Sequence, residues 1–599
     1  MRSHGSTGIL VGWHYGRIAC SQERVHSQFH GRHIMRMQSP QAAIKLLRAK
    51  RNVFGEPAED EKRGLLRVLR AAQLTTYVQL KSLHEDLLFI CAFPGALATR
   101  NLARRMLAEI ADRLGRLPRT QRSAADDSGM AGSSTRHVFP SPVARWLANA
   151  APSDVDVDWR TLDEPWRLDP LLGLLLRDAE REGFESGEFA TRKWIRAARS
   201  ANSRSDLEWL MAAGAANPGA RQRIDDEWDR AAVPLEWKLH DSRWSATHNM
   251  VAGTPVVVRT GMRRPGSDTV AEIVRPLPSI ERLGRTDARR VIVSARAALA
   301  VRCREVNAMT YPNVDEIYWC DLGAGAALAV IGIAPDHRLT LETNTGYVLF
   351  ANGIPIGYGG VTPLFRQANT GINIFDPYRG GEAAMIWTQI LRAFHTLFGS
   401  GRFVVNAYQF GAGNAEAIRS GAFWFYYRLG FRPGAPGISA LAAREAARMA
   451  ADRGYRCATK TLRALATGDL YLNLPGFAIG DGFDEALLPH VGALASRQLA
   501  QQPVASRVEA ERRVVAAVAG TLRIRDLASW SARERQGFTL LAPVVASLGD
   551  LRDWSEPEQH ALVAMMRSKG AAQERDFALA SRDVPRLFRG LAARLRNSV

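Results

Sequence analysis

The sequence predicts an α+β protein, in which a mixed β-sheet with flanking helices lies between mainly helical N- and C-terminal regions. Two observations lead to this fold class. Short apolar runs separated by turn residues, which are typical of strands, concentrate between residues 316 and 375. On both sides of that stretch, apolar residues recur at the spacing of an amphipathic helix.

The chain of 599 residues is long enough for about three or four domains. Its beginning mixes glycine, serine, arginine and histidine without periodicity, which is typical of a disordered leader. Helical periodicity begins near Asp60, strands dominate the middle, and the chain is helical again after Phe431. We predict a disordered leader at 1–57, a helical N-terminal domain at 58–270, a strand-rich domain at 271–436 and a helical C-terminal region at 437–599.

Arginine rather than lysine supplies most of the positive charge in this chain, whose formal net charge is +19. Residues 1–55 carry nine Arg or Lys against one Glu, and residues 581–599 carry five Arg against one Asp. A nucleic-acid-binding core concentrates basic residues and interleaved aromatic residues inside a folded unit, and the sequence has no such stripe. We therefore expect no nucleic acid among the partners.

The five cysteines are widely spaced and form no Cys-x-x-Cys pair, so we expect buried thiols in a reducing compartment and no metal site. No apolar run reaches the ~18 residues that a membrane span needs. Residues 8–13 form a short apolar patch where a signal peptide needs a longer core. These features predict a cytoplasmic protein without a transmembrane segment.

Two tight turns are predicted in the strand-rich domain. Asn352-Gly353 joins apolar runs at 347–351 and 354–361, and both turn residues tolerate the positive φ of a type I′ hairpin. Gly323-Ala-Gly325 lacks the third glycine and the following helix of a dinucleotide-binding site. We therefore interpret it as a second hairpin turn.

A strand, a glycine-containing turn, a helix and a further strand follow one another between residues 370 and 408. We predict the strands at 370–375 and 403–408 and the helix at 381–398, with Trp387 and Phe394 on its apolar face. This order makes a crossover between parallel strands, so that the helix begins at the carboxyl edge of the sheet. The unpaired N–H groups and the positive dipole end of the helix suit a diphosphate there.

This segment resembles the GNAT superfamily of acyl-CoA-dependent N-acyltransferases, whose signature is Gln/Arg-x-x-Gly-x-Gly/Ala. Arg379 fills the first position and Ala384 the last, while Glu382 stands where the family prefers glycine. A second match is Tyr426-Tyr-Arg-Leu-Gly-Phe431, which is similar to the Tyr-x-Lys-Leu-Gly-Phe ending of the family. Asn414 begins the helix that leads to it.

The resemblance covers residues 280–435 and implies transfer of an acyl group from acetyl-CoA, or another acyl-CoA, to a small-molecule or protein amine. It implies that Tyr426 is the general acid that protonates the leaving thiolate, with Asn414 as a second catalytic residue. The backbone N–H groups of Ile374 and Phe375 would polarise the thioester carbonyl. The implied acyl-CoA-binding residues are Ile374, Phe375, Arg379, Gly380, Gly381, Ala383 and Ala384.

Two assignments stay open at this point. The base that takes the amine proton is Asp376, Glu382, Glu342, His395 or an ordered water. Tyr426 belongs to a run of aromatic residues from Phe423 to Tyr427, so packing is the alternative to catalysis.

The sequence also leaves an alternative function and a membrane contact open. Since Glu382 would repel a diphosphate unless it turns away, the alternative to an enzyme is a non-catalytic adaptor that keeps the GNAT-like fold without coenzyme A. At the C-terminus, Leu587, Leu591 and Leu595 share one helix face. This face predicts either docking on the protein's own domain or peripheral contact with a membrane.

Overall fold

The structure is a computed structural model that describes residues 39–240, 242–477 and 482–596. Most of the predicted leader lies outside the described residues. Its last part forms the helix Pro40–Lys50, in which Ile44 and Leu47 are buried and the Ser39 side chain accepts a hydrogen bond from a first-turn N–H. The chain divides into two compact units, and the boundary after Ala124 falls inside the predicted N-terminal domain.

The described part of the first unit comprises residues 39–124 and Val258–Gly261, and it is helical. Asp86 is buried between the guanidinium groups of Arg48 and Arg51. Burial raises the pKa of Asp86 to about 6, although both arginines oppose the rise. The helices are α1 Pro40–Lys50, α2 Glu56–Ala71, α3 Tyr77–Ala92, α4 Leu97–Ala108, α5 Ile110–Gly115 and α6 Arg119–Ser123.

The second unit begins with a small antiparallel sheet of order β1-β3-β2, surrounded by short helices. Its core contains the buried rings of Trp228 and Trp237. The strands are β1 Ser134–Val138, β2 Val155–Val157 and β3 Pro234–Lys238. The helices are α7 Ser141–Ala150, α8 Asp169–Leu175, α9 Asp178–Glu185, α10 Thr191–Ala198, α11 Asp206–Ala215 and α12 Arg221–Ala231.

A 10-stranded mixed sheet with helical flanks forms the centre of the second unit, so the α+β class is confirmed at this level. The strands are β4 Ile280–Arg282, β5 Pro312–Gly323, β6 Ala326–Ile333, β7 Thr345–Ala351, β8 Ile354–Leu364, β9 Gln367–Thr370, β10 Asn373–Ile374, β11 Arg402–Val405, β12 Arg432–Pro433 and β13 Leu470–Asn473. The helices that precede β5 are α13 Thr269–Val274, α14 Arg285–Ala300 and α15 Asn307–Thr310.

The strand order is β12-β13-β11-β9-β8-β7-β6-β5-β4, and β10 pairs with β8. Among the strand pairs of the described residues, β9 with β11 is parallel and the others are antiparallel. The helix α16 Ala383–Phe398 connects this parallel pair. The predicted order of strand, helix and parallel strand is present, but the strand predicted at 370–375 is wrong: the parallel partner is β9, and β10 pairs with β8 in the antiparallel direction. The second strand ends at Val405, because Ala407–Phe410 form a 3₁₀ helix where the strand was predicted to continue to residue 408.

Both predicted hairpin turns are confirmed. Asn352 and Gly353 have φ of 49° and 77° between β7 and β8. Gly323, Ala324 and Gly325 all have positive φ between β5 and β6. Each turn requires left-handed backbone, which Gly and Asn adopt at low cost.

Helix α16 lies with its apolar side in the core. Trp387, Ile390 and Phe394 are fully buried, as the periodicity predicts, and Gly399 ends the helix with φ of 62°. A buried aromatic and aliphatic stripe of this kind fixes the orientation of the helix on the sheet. The packing thereby places the first turn of α16 at the carboxyl edge of the parallel pair.

Helices dominate the rest of the second unit, as predicted. Ser555 and Glu558 form a capping box at the start of one of these helices. These helices are α17 Ala415–Ser420, α18 Ala422–Arg428, α19 Pro436–Ala451, α20 Thr459–Leu465, α21 Leu488–Ala500, α22 Arg507–Thr521, α23 Ala532–Ala546, α24 Glu556–Ser568, α25 Glu574–Ser581 and α26 Pro585–Arg596.

The last helix, α26, docks on its own domain. Leu587, Leu591 and Leu595 are each 0% exposed and belong to the C-terminal hydrophobic core. The protein itself covers the apolar face for which the sequence left membrane contact open, so this face is not presented to a bilayer. Among the helices of the described ranges, none has the length and hydrophobicity that a transmembrane span requires.

Candidate active site

The pairing of the parallel strands β9 and β11 ends one residue before the carboxyl end of each strand. Their last pair is Asn369 with Val404. After this pair the first chain segment continues into β10, which pairs with β8 and not with β11. The two paths therefore diverge at the edge of the sheet where ligands of parallel strands bind.

Residues Gly371 and Ile372, called here the 371–372 break, interrupt the pairing with β8 between β9 and β10. Glycines of β8 allow other groups to approach closely at this point. A Cβ on Gly357 would lie 2.6 Å from the carbonyl oxygen of Asn373. A Cβ on Gly359 would overlap both the carbonyl oxygen of Gly371 and the hydroxyl of Tyr347. Both positions thus require glycine.

Two tyrosine hydroxyls satisfy the backbone groups that the 371–372 break leaves without ladder partners. The hydroxyl of Tyr347 donates to the carbonyl oxygen of Gly371. The backbone N–H of Ile372 donates to the hydroxyl of Tyr426. Because buried backbone groups without partners are costly, both tyrosines stabilise this local geometry.

Tyr426 lies in an aromatic cluster as well as at the break. It is 3% exposed, and its ring centroid lies 5.7 Å from that of Trp387 and 5.8 Å from that of Phe431. Burial raises the pKa of Tyr426 well above its usual range, so the phenol is protonated at neutral pH. Tyr426 therefore packs in the aromatic cluster and also keeps a protonated hydroxyl.

The two backbone amides predicted to polarise a thioester differ in their surroundings. The N–H of Phe375 donates to the carbonyl oxygen of Ile356 at 3.0 Å, so the sheet uses it. Ile374 is paired with Gly357 in a non-hydrogen-bonded position, so its N–H points away from β8. The N–H of Ile374 therefore points to the side of the sheet on which β11 lies.

Arg379 joins the two loops that follow the parallel strands. Its Nη1 lies 2.8 Å from a carboxylate oxygen of Glu416 and 3.0 Å from one of Asp376. Its Nε donates to the carbonyl oxygen of Ile374 at 3.1 Å. The side chain is 56% exposed, so the guanidinium also faces solvent beside the cleft.

The start of α16 is built to leave backbone N–H groups available. Gly380 has φ of 81°, and a Cβ there would meet nothing within 4 Å. No side chain caps the first turn, where Ala383 and Ala384 are half-buried. A helix of this length with an uncapped first turn presents N–H groups and a positive dipole end to an anion.

Glu382, which departs from the family signature, is turned into the protein. Its carboxylate is 0% exposed and accepts hydrogen bonds from the backbone N–H of Arg263 at 2.6 Å and from its Nε at 3.2 Å. The same guanidinium donates to the carbonyl oxygen of Leu322 at 2.8 Å. Arg263 therefore compensates the negative charge next to the helix N-terminus.

Asn414 acts as a helix cap. Its Oδ1 accepts from the N–H of Ala417 at 3.1 Å, and its Nδ2 donates to the carbonyl oxygen of Tyr408 at 3.2 Å. This cap fixes the start of α17, which carries Glu416. The position supports the loop opposite Arg379, and the two hydrogen bonds of the side chain go to backbone groups of Ala417 and Tyr408.

The structure separates the four side chains considered as bases. Glu342 precedes Thr343, whose backbone N–H donates to the carbonyl oxygen of Pro363, six residues along β8 from the partner of Ile374. Glu382 is paired with Arg263, and Nδ1 of His395 lies 2.9 Å from the carbonyl oxygen of Ser400. Asp376, which is 67% exposed, is the one of the four that lies at the cleft.

Sequence reasoning missed Arg263, Glu416, Ile372 and Tyr347. Arg263 lies 119 positions from Glu382 and belongs to a segment without secondary structure, so no spacing indicates their pairing. Glu416 follows Asn414 closely, and its charge opposite Arg379 was a signal that sequence reasoning left unused. Tyr347 was assigned to a strand, but its hydrogen bond to Gly371 is possible only because residue 359, which faces its hydroxyl, is a glycine.

The chain was compared with protein-family models, curated proteins and solved structures, and none of the three comparisons gives a match.

Proposed function

We propose that this protein is an acyl-CoA-dependent N-acyltransferase of GNAT-like design, which acetylates or otherwise acylates a small-molecule or protein amine. The observation that carries the proposal is the divergence of β9 and β11 beside the uncapped first turn of α16. In our proposal the thioester lies where the strand pairing ends, and the helix end binds its diphosphate.

The residues at the helix start fit a diphosphate. Gly380 lies in open space, so a phosphate group has room to approach the backbone N–H groups. Arg379 lies beside them and is more than half exposed. The carboxylate of Glu382, the feature least compatible with a phosphate, is held away in its pair with Arg263. We assign acyl-CoA binding to Arg379, Gly380, Gly381, Ala383 and Ala384.

A thioester supplies an activated acyl carbon with a thiolate leaving group. In our proposal the N–H of Ile374 stabilises the oxyanion that forms when the amine nitrogen attacks this carbon. Tyr426 donates its proton to the sulfur as the carbon–sulfur bond breaks, and its raised pKa keeps that proton available at neutral pH. Water or Asp376 takes the proton that the amine nitrogen loses.

A second candidate function is a non-catalytic adaptor with the same fold. It is favoured by the structural role of Tyr426 at the 371–372 break and by the close packing of Gln409, whose Cδ would lie 2.6 Å from a Cβ on Gly371. In an adaptor these contacts close the gap permanently. The two functions differ in whether the intact protein binds and consumes acyl-CoA.

Release of free thiol from acetyl-CoA in the presence of a panel of amines tests the proposed reaction. We expect amine-dependent thiol release by the intact chain and its loss in the Arg379→Glu variant, which places a negative charge beside the diphosphate. Absence of acetyl-CoA binding, together with absence of thiol release with every amine, would contradict the transferase and favour the adaptor.

A further inference from the structure

A cavity of about 360 Å³ lies in the C-terminal part of the second unit. Its walls come from α21, α22, α23 and the segment before β7. The described lining residues include none from β9, β10, β11 or α16, so the cavity is a separate site.

The walls are mainly apolar. Leu488, Val491 and Val544 line the interior, and Leu339 and Leu540 are 40% and 41% exposed at the lining. Exposed large aliphatic side chains beside a cavity of this size are typical of a site that binds an apolar group.

Two carboxylates are the charged groups of the lining. Glu342 and Glu511 lie among the described lining residues, which include no Lys, Arg or His. Within the described ranges, neither carboxylate has a hydrogen-bond or ion-pair partner. The nearby ammonium of Lys569 is 2.9 Å from Glu574, and it donates to the backbone oxygen of Glu342 rather than to its carboxylate. Both carboxylates are therefore free to bind a cation.

The backbone adds a further acceptor. Pro543 lies inside α23 and has no N–H, so the helix does not bond the carbonyl oxygen of Thr539, four residues earlier. Both residues line the cavity. The polar groups of the lining are thus mostly acceptors, which suits a donor that carries several N–H groups.

We propose that this cavity binds an amphiphilic primary amine in its protonated form, with the ammonium at Glu342 and Glu511 and the hydrocarbon arm between α21 and α23. Burial raises the pKa of Glu342, with Glu485 adding to the rise and Lys569 opposing it, as for a carboxylate that lacks its counterion. An alkylammonium supplies that counterion and covers the apolar wall. The proposal is independent of the acyl transfer proposed above.

Titration calorimetry of the full chain with n-octylamine, n-octanol and octanoate at pH 8 tests the charge requirement. We expect octylamine to bind about tenfold or more tightly than octanol, since a hydrogen bond to a charged group contributes ~1.5–3 kcal/mol. Octanoate is expected not to bind. Equal binding of the three compounds, or no binding of octylamine, would overturn the proposal.

Gly492 offers a way to fill the cavity without disturbing the fold. It lies in α21 and lines the cavity, and a Cβ there would meet nothing within 4 Å. We expect Gly492→Leu to abolish octylamine binding while thermal unfolding shows an unchanged or raised stability. The matched control is Gly520→Leu, at an exposed helical glycine of α22 that does not line the cavity. Octylamine binding that survives in Gly492→Leu places the ligand elsewhere and refutes the site.

The carboxylates are tested separately. Glu342→Gln and Glu511→Gln are expected to weaken octylamine about tenfold each and to leave octanol unchanged, whereas the exposed Glu188→Gln changes neither. If both lining variants bind octylamine as the unmodified chain does, the cavity is only a hydrocarbon site and the proposed ammonium recognition is wrong.

Discussion

The guanidinium of Arg379 lies 2.8 Å from the carboxylate of Glu416, and this pair joins the loop before α16 to the first turn of α17. The two side chains are 56% and 64% exposed. Exposed ion pairs contribute little to stability, so the pair is important mainly for where it holds the Arg379 charge. It positions a cation between the two loops that follow the diverging strands.

Removing the competing carboxylate is expected to strengthen acetyl-CoA binding. In Glu416→Gln, Arg379 loses one of its two carboxylate partners and a negative charge beside the diphosphate is removed, so we predict a dissociation constant lowered a few-fold in calorimetry. Arg379→Ala is expected to raise it about tenfold, because a charge-assisted hydrogen bond is lost. Glu556→Gln, at an exposed position of α24, is the control. A weakened affinity in Glu416→Gln would show that the ligand requires the intact pair of Arg379 with Glu416.

Tyr426 and Tyr347 allow catalysis to be separated from folding, because each hydroxyl satisfies one backbone group of the 371–372 break. Both Tyr→Phe variants are expected to lose about 1–3 kcal/mol of unfolding free energy. Tyr426→Phe is predicted to lower kcat by a further ~10²–10⁴-fold at unchanged acetyl-CoA affinity. Thiol-release assays measure kcat, and denaturant unfolding measures the unfolding free energy. Equal kcat values in the two variants would remove the catalytic role.

The pair of Glu382 with Arg263 is expected to be required for both folding and ligand binding. Arg263→Met leaves a buried carboxylate without its partner, which costs about 3–5 kcal/mol, and places an uncompensated negative charge beside the diphosphate. We predict weaker acetyl-CoA binding in this variant. The double variant Arg263→Met with Glu382→Gln is predicted to recover most of the stability in denaturant unfolding. If the double variant is as unstable as the single one, the charge of Glu382 is not the cause.

Glu316 predicts a pH dependence of stability. Its buried carboxyl accepts from the N–H groups of Glu574 and Arg575 at 2.9 and 2.8 Å, and burial raises its pKa from 4.5 to about 7. Between these values the folded state retains a proton that the unfolded state releases, so stability falls as pH rises from about 4.5 to 7.

The expected loss attributable to Glu316 is about 3 kcal/mol across this window. Unfolding free energies at pH 5, 6, 7 and 8 check the slope. Glu316→Gln cannot titrate, so its curve is predicted to be flatter by that amount, whereas the exposed Glu281→Gln should follow the unmodified chain. Parallel curves for Glu316→Gln and the unmodified chain contradict the assignment.

Local patterns predicted much of the fold. The Asn352-Gly353 turn and the stripe of Trp387 and Phe394 follow from backbone preference and periodicity, which act between residues close in sequence. A parallel pair joined by a helix followed from the order of elements, but its first strand is β9 rather than the strand predicted at 370–375. The GNAT-like identity of the fold stays a proposal.

Contacts between distant residues were not predictable in the same way. Arg263 compensates Glu382 from a segment with no regular structure, and the pairing depends on how that segment packs. The N–H of Phe375 bonds to β8 and the N–H of Ile374 does not. This difference depends on strand register, which the identity of the two residues does not specify. The cavity beside Glu342 arises where three helices meet, and no single helix face indicates it.

The central claim is that uncapped N–H groups at the start of α16 bind the diphosphate of coenzyme A. Calorimetric titration of the full chain with coenzyme A and with pantetheine, which lacks the diphosphate, tests it most directly. The account predicts saturable binding of coenzyme A and binding of pantetheine that is about 100-fold weaker or undetectable, since several charge-assisted hydrogen bonds are absent. Equal affinity for the two compounds, or no heat with coenzyme A, would contradict it.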